Sequence, residues 1–148
     1  MRESGFVLVT AILAVLVSCT AAPQTPDAAA LEASARARIL AIPQITNEQN
    51  RSLASTRGWR NPYLIVRADG VALLDPDDHL ERILKPEEMT LALGNLPPSA
   101  WPYGRVVAVT ENGVRSSPDE DVKIRKNRAV VAGTLESLHV LIHWIPAA

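Results

Sequence analysis

Residues 63–74 read Tyr-Leu-Ile-Val-Arg-Ala-Asp-Gly-Val-Ala-Leu-Leu, which is two aliphatic runs separated by an Asp-Gly pair. Aliphatic and β-branched residues favour strands, and an Asp-Gly pair accepts the positive backbone angles of a tight two-residue turn. The stretch therefore predicts a β-hairpin with strands over Tyr63–Ala68 and Val71–Leu74. The tract Asp75-Pro76-Asp77-Asp78 ends the second strand.

An amphipathic helix and a third strand are predicted after the hairpin. Beyond Pro86, which suits a first helical turn, apolar residues recur at i, i+3, i+4 and i+7 until Pro97-Pro98 ends the pattern. These residues are Met89, Ala92, Leu93 and Leu96. The valine-rich stretch Arg105–Thr110 then predicts a strand, and Asn112-Gly113 turns the chain after it.

The segment Ser117-Pro118-Asp119-Glu120 predicts the start of a second helix, because its residue types and spacing form a capping box. One face of that helix is apolar, formed by Ile124, Val131, Leu135 and Leu138. The stretch Val122–Arg125 also alternates as a strand would, but the cap and the later spacing favour the helix. A last strand is predicted over Val140–Ile145, ended by Pro146.

The predicted order from about residue 62 is β-β-α-β-α-β, an α+β fold with a small mixed sheet and two helices on one face. A further helix is predicted ahead of it, because Asp27 occupies the N-cap position of an alanine-rich segment that ends at Pro43. Its apolar residues recur at spacing four, as Leu31, Ala35 and Ile39. Residues 44–61 are polar and irregular, and we expect Trp59 to fold back onto the domain.

The start of the chain predicts a secretory signal peptide. Arg2 precedes an uncharged apolar run over residues 6–17, and the segment Leu16-Val17-Ser18-Cys19 closes it. The closing segment resembles the lipobox of bacterial lipoproteins, in which the cysteine becomes the first mature residue and carries the lipid. A membrane-spanning helix over residues 6–18 is the alternative, but the run is shorter than the roughly 20 residues that cross a bilayer.

The resemblance to lipoproteins divides the chain and implies a place in the cell envelope. The four expected parts are the signal peptide 1–18, the lipid-anchored tether 19–27, the N-terminal helix and irregular segment 28–61, and the α+β domain 62–148. A lipid on Cys19 implies the periplasmic side of a membrane, and Thr20 after it favours the outer membrane over the inner one. Because Cys19 is the single cysteine, no disulfide and no catalytic thiolate are expected in the mature protein.

The C-terminal part also resembles a known periplasmic domain. Its element order, the Asp69-Gly70 hairpin and the stretch Pro102–Val107 are similar to the ExbD/TolR family over roughly residues 62–146. The resemblance implies an interaction module, often dimeric, that contacts envelope proteins or the cell wall. Members of that family carry a membrane helix with an acidic residue, whereas residues 6–18 hold no Asp or Glu, so no functional residue carries over. The tyrosine-containing stretch also leads into a helix in that family and into a predicted strand here.

Charge and composition argue against nucleic acid as a partner. The net charge is −1, whereas phosphate binding needs a basic face. Four basic residues do lie close together, as Lys123, Arg125, Lys126 and Arg128. They are interpreted as a solvated helix face, partly cancelled by the preceding acidic residues 119–121.

Candidate catalytic and metal-binding residues do not assemble into a recognisable pattern. The densest polar cluster contains Asp75, Asp77, Asp78 and His79, which could ligate a cation, but Pro76 favours a plain turn. His139 and His143 lie four residues apart without a third ligand. Ser116-Ser117 lack the glycines of a nucleophile elbow, and Glu87-Glu88 suit a first helical turn. We therefore expect no metal site, no cofactor and no catalytic residue.

Two functional hypotheses follow from these sequence patterns. The first is a non-enzymatic envelope module whose uncovered sheet face or edge strand binds a membrane-protein complex, peptidoglycan or a second copy of the chain. The second is a small periplasmic hydrolase or metal-binding protein that uses His79, His139 or His143 with nearby aspartates. A pocket that joins those histidines would favour the second hypothesis.

Overall fold

The fold is described by a computed structural model over residues 27–53, 58–74, 80–113 and 117–146. Four helices and five strands occur in these ranges. In chain order they are α1 (Ala28–Ala41), α2 (Asn47–Leu53), β1 (Tyr63–Val66), β2 (Val71–Leu74), β3 (Glu81–Leu84), α3 (Met89–Gly94), β4 (Val106–Glu111), α4 (Pro118–Ser137) and β5 (Leu141–Trp144).

The strands form one mixed sheet in the order β3-β2-β1-β4-β5. β2 pairs antiparallel with β1 and with β3, whereas β4 pairs parallel with β1 and with β5. The α+β class, the mixed sheet and the N-terminal helix are confirmed. The structure adds β3, a strand that the sequence did not predict, because two of its four residues are the charged pair Glu81-Arg82 and it carries no apolar alternation.

The predicted hairpin is present, with its turn one residue earlier than expected. Val66 pairs with Val71, and Arg67 N–H donates to the Gly70 carbonyl at 2.9 Å, so Ala68-Asp69 form the turn. Gly70 has φ 156°, and a Cβ there would overlap the Leu84 carbonyl oxygen of β3. Glycine is therefore required by the close approach of β3 and favoured by the positive φ.

One hydrophobic core lies between the sheet and the helices. Alternate strand residues, including Leu64, Val66, Leu73, Val107 and Val109, pack in it with Met89 and Leu93 of α3 and with Ile124, Val131 and Leu135 of α4. Both α3 and α4 pack on this side of the sheet. On the opposite side Ala72, Val106 and Ala108 are also fully buried, and Trp59 stacks against His143.

The N-terminal helix α1 packs into this core from its predicted face. Asp27 caps it, since the carboxylate accepts from the Ala29 N–H at 3.4 Å, and Ala35 and Ile39 are fully buried. Leu31, expected on the same face, is 44% exposed because the contact with α3 begins one turn later. At that contact Gly94 lies so close that an added Cβ would be 2.7 Å from the Ala35 Cβ.

Helix α2 was not expected in the segment interpreted as irregular. Thr46 and Gln49 cap it reciprocally: the Thr46 N–H donates to the Gln49 side chain at 2.9 Å, and the Gln49 N–H donates to Thr46 Oγ1 at 3.2 Å. This Thr-x-x-Gln spacing is a capping box, so the sequence does carry a local signal for the helix.

The later elements follow their predicted caps. The Ser117 hydroxyl accepts from the Glu120 N–H at 3.3 Å at the start of α4, and residues 122–125 are helical rather than extended. Pro86–Glu88 form a short 3₁₀ turn ahead of α3, where the Glu88 carboxylate accepts from the Lys85 N–H at 3.0 Å. Glu88 is thus a structural cap.

The predicted signal peptide 1–18, the predicted lipidation residue Cys19 and most of the predicted tether lie outside the described residues. Within the ranges given above, no helix combines the length and the apolar character that crossing a membrane requires.

Candidate binding site along strand β5

Strand β5 is one edge of the sheet, and half of its peptide groups face away from β4. The Leu141 N–H donates to the Arg105 carbonyl at 3.1 Å, and the Ile145 N–H donates to the Val109 carbonyl at 2.8 Å. Because peptide groups alternate in direction along a strand, the N–H and C=O groups of Ile142 and Trp144 point outward. No strand in the described ranges pairs with this edge. It can therefore accept one more strand.

A cleft of about 340 Å³ lies at the C-terminal end of β5. It is lined by Glu111, Arg128, Trp144, Ile145 and Pro146. The Arg128 guanidinium lies 4.4 Å from the centre of the Trp144 ring, and its Nη1 donates to Glu111 Oε1 at 2.7 Å. The pair holds the 40% exposed indole in place at the edge of the sheet.

A second cleft, of about 350 Å³, lies at the N-terminal end of β5. Its walls come from the segment after α1, the start of β4 and the turn that joins α4 to β5. The lining residues are Gln44, Ile45, Arg105, Glu136, His139, Val140 and Leu141. Strand β5 thus runs between two clefts.

Arg105 is the least expected residue of the second cleft. The residue is 6% exposed, and the one hydrogen bond of its side chain in the described structure runs from Nη1 to the Leu40 carbonyl at 3.3 Å. Its buried Nε has no acceptor there, and no carboxylate of the described residues forms an ion pair with it. The carbonyl end of α1 compensates part of this buried positive charge.

Buried polar bonds hold the start of β4 beside this site. Asn61 is 1% exposed; its Nδ2 donates to the Gly104 and Val106 carbonyls at 2.7 and 2.8 Å, and its Oδ1 accepts from the Tyr103 N–H at 2.9 Å. Trp59 does fold back, as predicted. Its ring stacks on His143 with 5.1 Å between centroids and 8° between planes.

The two predicted histidine candidates lie in different settings. His139 is exposed in the turn after α4 with φ 52°, whereas His143 lies in β5 on the face opposite α4, against Trp59. The cluster Asp75, Asp77, Asp78 and His79 lies outside the described residues, as does Ser116. Where the chain is described, no group of three or more His, Cys, Asp or Glu side chains could hold a metal ion. The described residues therefore supply no pocket that joins the histidines.

The four basic residues of α4 do not share the same surroundings in the structure. Lys123, Arg125 and Lys126 are exposed, as expected of a solvated face. Arg128 instead contacts Glu111 and Trp144 and becomes part of the first cleft. The sequence held no signal for this contact, because Glu111 and Arg128 lie on different elements and meet only when α4 packs on the sheet.

No known protein matches the chain in three comparisons: no family model, no curated protein and no solved structure. The function is therefore inferred from the residues described above.

Proposed function

We propose that the chain is a lipid-anchored protein of the bacterial cell envelope whose folded domain binds an extended segment of another envelope protein along β5. The domain acts as a non-enzymatic interaction module. The single observation that carries this proposal is the free edge of β5 between two clefts, one with an exposed tryptophan and one with a buried arginine.

The envelope part of the proposal rests on the sequence. The lipobox-like Leu16–Cys19 follows an apolar run, and a Pro-rich tract over residues 20–27 offers a tether. A domain held to a membrane surface meets envelope proteins at high effective concentration, which suits a shallow edge-strand site. The same sequence pattern implies an anchor on the periplasmic side of a membrane and favours the outer membrane over the inner one.

The strand-binding part rests on the chemistry of β5. Main-chain hydrogen bonds to the outward peptide groups of Ile142 and Trp144 supply affinity for any extended segment, and side-chain clefts supply selectivity. A protein segment is favoured over a glycan because the outward groups are spaced as a strand requires. Peptidoglycan and a second copy of the chain are the other occupants to be distinguished.

Site-specific photo-crosslinking in living cells tests the position and the partner together. A photoreactive amino acid is placed at Leu141 in one variant and at Ile83 in a matched control. These residues are 36% and 55% exposed and lie on the same face, opposite α3 and α4, but on opposite edges of the sheet. We expect a defined protein adduct from Leu141 and none from Ile83.

Other outcomes of this crosslinking would overturn the assignment. An adduct from Ile83 alone would move the site to β3. A Leu141 adduct of twice the mass of the chain would identify a second copy as the occupant, and a muramidase-sensitive adduct would identify peptidoglycan.

Metabolic labelling with a palmitate analogue tests the anchor separately. The full chain should take up label and fractionate with outer membranes, and Cys19→Ser should lose both properties. Label retained in Cys19→Ser would exclude lipidation at that residue.

A further inference from the structure

We infer that the cleft at Arg105 is a carboxylate-binding site that receives the C-terminal carboxylate of the bound segment. This inference rests on the proposed strand addition along β5. It specifies that the Arg105 end of the site binds a carboxylate and that the bound segment runs antiparallel to β5.

The first step is the charge of Arg105. An arginine that is 6% exposed normally meets a carboxylate, because an unpaired buried charge is costly. Arg105 has a single neutral partner, the Leu40 carbonyl, and an Nε without an acceptor in the described part of the chain. The planar guanidinium therefore donates few of its N–H groups, and a carboxylate is the ligand that matches it in geometry and charge.

The second step is the position of Arg105 relative to β5. The Arg105 carbonyl accepts from the Leu141 N–H, so the guanidinium belongs to the residue beside the first position of β5. A strand added antiparallel to β5 runs in the opposite direction, and its C-terminal end arrives at this cleft. Antiparallel pairs are also the commoner kind. The four residues of β5 span about 13 Å at roughly 3.3 Å per residue, so a segment of four or five residues reaches from Trp144 to Arg105.

The third step concerns the other charged groups of the cleft. Glu136 is exposed on the rim and opposes a bound anion, while His139 is exposed beside it. Removing the Glu136 charge should have the opposite effect to removing the Arg105 charge: carboxylate binding should become stronger, and no core residue is changed.

The experiment compares two small probes on the full chain in detergent micelles. N-acetyl-leucine carries a free carboxylate, and N-acetyl-leucinamide differs from it only in that group. We expect the acid to shift the Arg105 Nε–H and His139 resonances in NMR titrations, and the amide to bind at least about tenfold more weakly. Equal binding of the two probes, or shifts confined to other residues, would overturn the inference.

Variants separate the roles of the charges. Arg105→Gln should abolish the preference for the acid, Glu136→Gln should tighten acid binding about two- to threefold, and the exposed Arg125→Gln should change neither. If Arg105→Gln does not fold, the inference is tested by comparing acid and amide binding in the unmodified chain and in Glu136→Gln. A Leu141 crosslink without a preference for the acid would reject the carboxylate site and support strand addition. A preference for the acid without the Leu141 crosslink would support the carboxylate site and reject strand addition.

Discussion

The two edges of the sheet are alike in exposure and different in their surroundings. Both β3 and β5 are four-residue edge strands with an exposed aliphatic residue on the face opposite α3 and α4, Ile83 in β3 and Leu141 in β5. β3 carries Glu81, which forms an ion pair with Arg67, and neither cleft described above includes a β3 residue. β5 lies beside α4 and between both clefts. A free edge supplies non-selective hydrogen bonds, and the neighbouring side chains decide whether the edge can select a partner.

The attachment of the two edges to the core also differs. β3 pairs antiparallel with β2, and its Leu84 carbonyl lies close to Gly70. β5 pairs with β4, whose start is fixed by the buried side chain of Asn61. The β5 edge is consequently held by buried polar bonds, and each edge can be disturbed separately.

The largest expected effect is that of Asn61→Ala. It leaves the Val106 carbonyl and the Tyr103 N–H without their partner in a buried site and removes one of the two donors to the Gly104 carbonyl, which should lower the free energy of unfolding by about 3 kcal/mol. Urea denaturation followed by circular dichroism measures the loss. Asn127→Ala removes a single bond, from Nδ2 to the Arg67 carbonyl at 2.8 Å, and should cost less than about 1 kcal/mol. Equal losses in the two variants would contradict this role of Asn61.

A somewhat smaller loss is expected when β3 is displaced. Gly70→Ala drives a methyl group into the Leu84 carbonyl and should destabilise the fold by about 2 kcal/mol, while crosslinking from Leu141 persists. Gly133→Ala is the matched control. Nothing lies within 4 Å of its added Cβ, and alanine favours helix, so this variant should gain about 0.5–1 kcal/mol. Loss of the Leu141 adduct in folded Gly70→Ala would show that the edges are coupled.

Trp144→Pro tests the outward peptide group of β5. Proline removes the outward N–H and places a ring at the edge, whereas Trp144→Ala removes the same indole and keeps the N–H. The adduct from the photoreactive residue at Leu141 should be at least about tenfold weaker with proline than with alanine. Equal yields would mean that the partner makes no main-chain hydrogen bond at this position.

The smallest effect is expected at the β3 edge. Ile83→Lys changes an exposed residue outside the core and should alter the free energy of unfolding by less than about 0.5 kcal/mol. Partner binding, measured by crosslinking from Trp144, should be unchanged. Leu141→Lys should weaken that crosslink while leaving stability within the same limit. If Ile83→Lys reduced binding as strongly as Leu141→Lys, the contrast between the two edges would be wrong.

Local signals in the sequence were enough for the hairpin, for α1, α3 and α4, and for β4 and β5. The Asp27 and Ser117 caps act within their own helix turns, so they can be recognised from neighbouring residues. The Thr46–Gln49 cap of α2 was equally local and could have been found. β3 could not, because its strand conformation comes from pairing with β2 and its residues Glu81 and Arg82 carry no strand preference of their own.

The candidate site was less accessible to sequence reasoning. Of the histidines and aspartates singled out for chemistry, the cluster over residues 75–79 lies outside the described residues, His143 stacks on Trp59, and His139 lines the second cleft. For Arg105, the sequence indicated only the start of a predicted strand.

The sequence by itself determined the local elements of this protein and predicts its lipid anchor, since capping, turn formation and signal-peptide recognition depend on residues close together in the chain. Tertiary structure alone decided which strands became edges, that Arg105 is buried without a carboxylate among the described residues, and that Arg128 lies over Trp144. These features depend on contacts between distant segments, and burial and pairing are properties of the assembled sheet and helices.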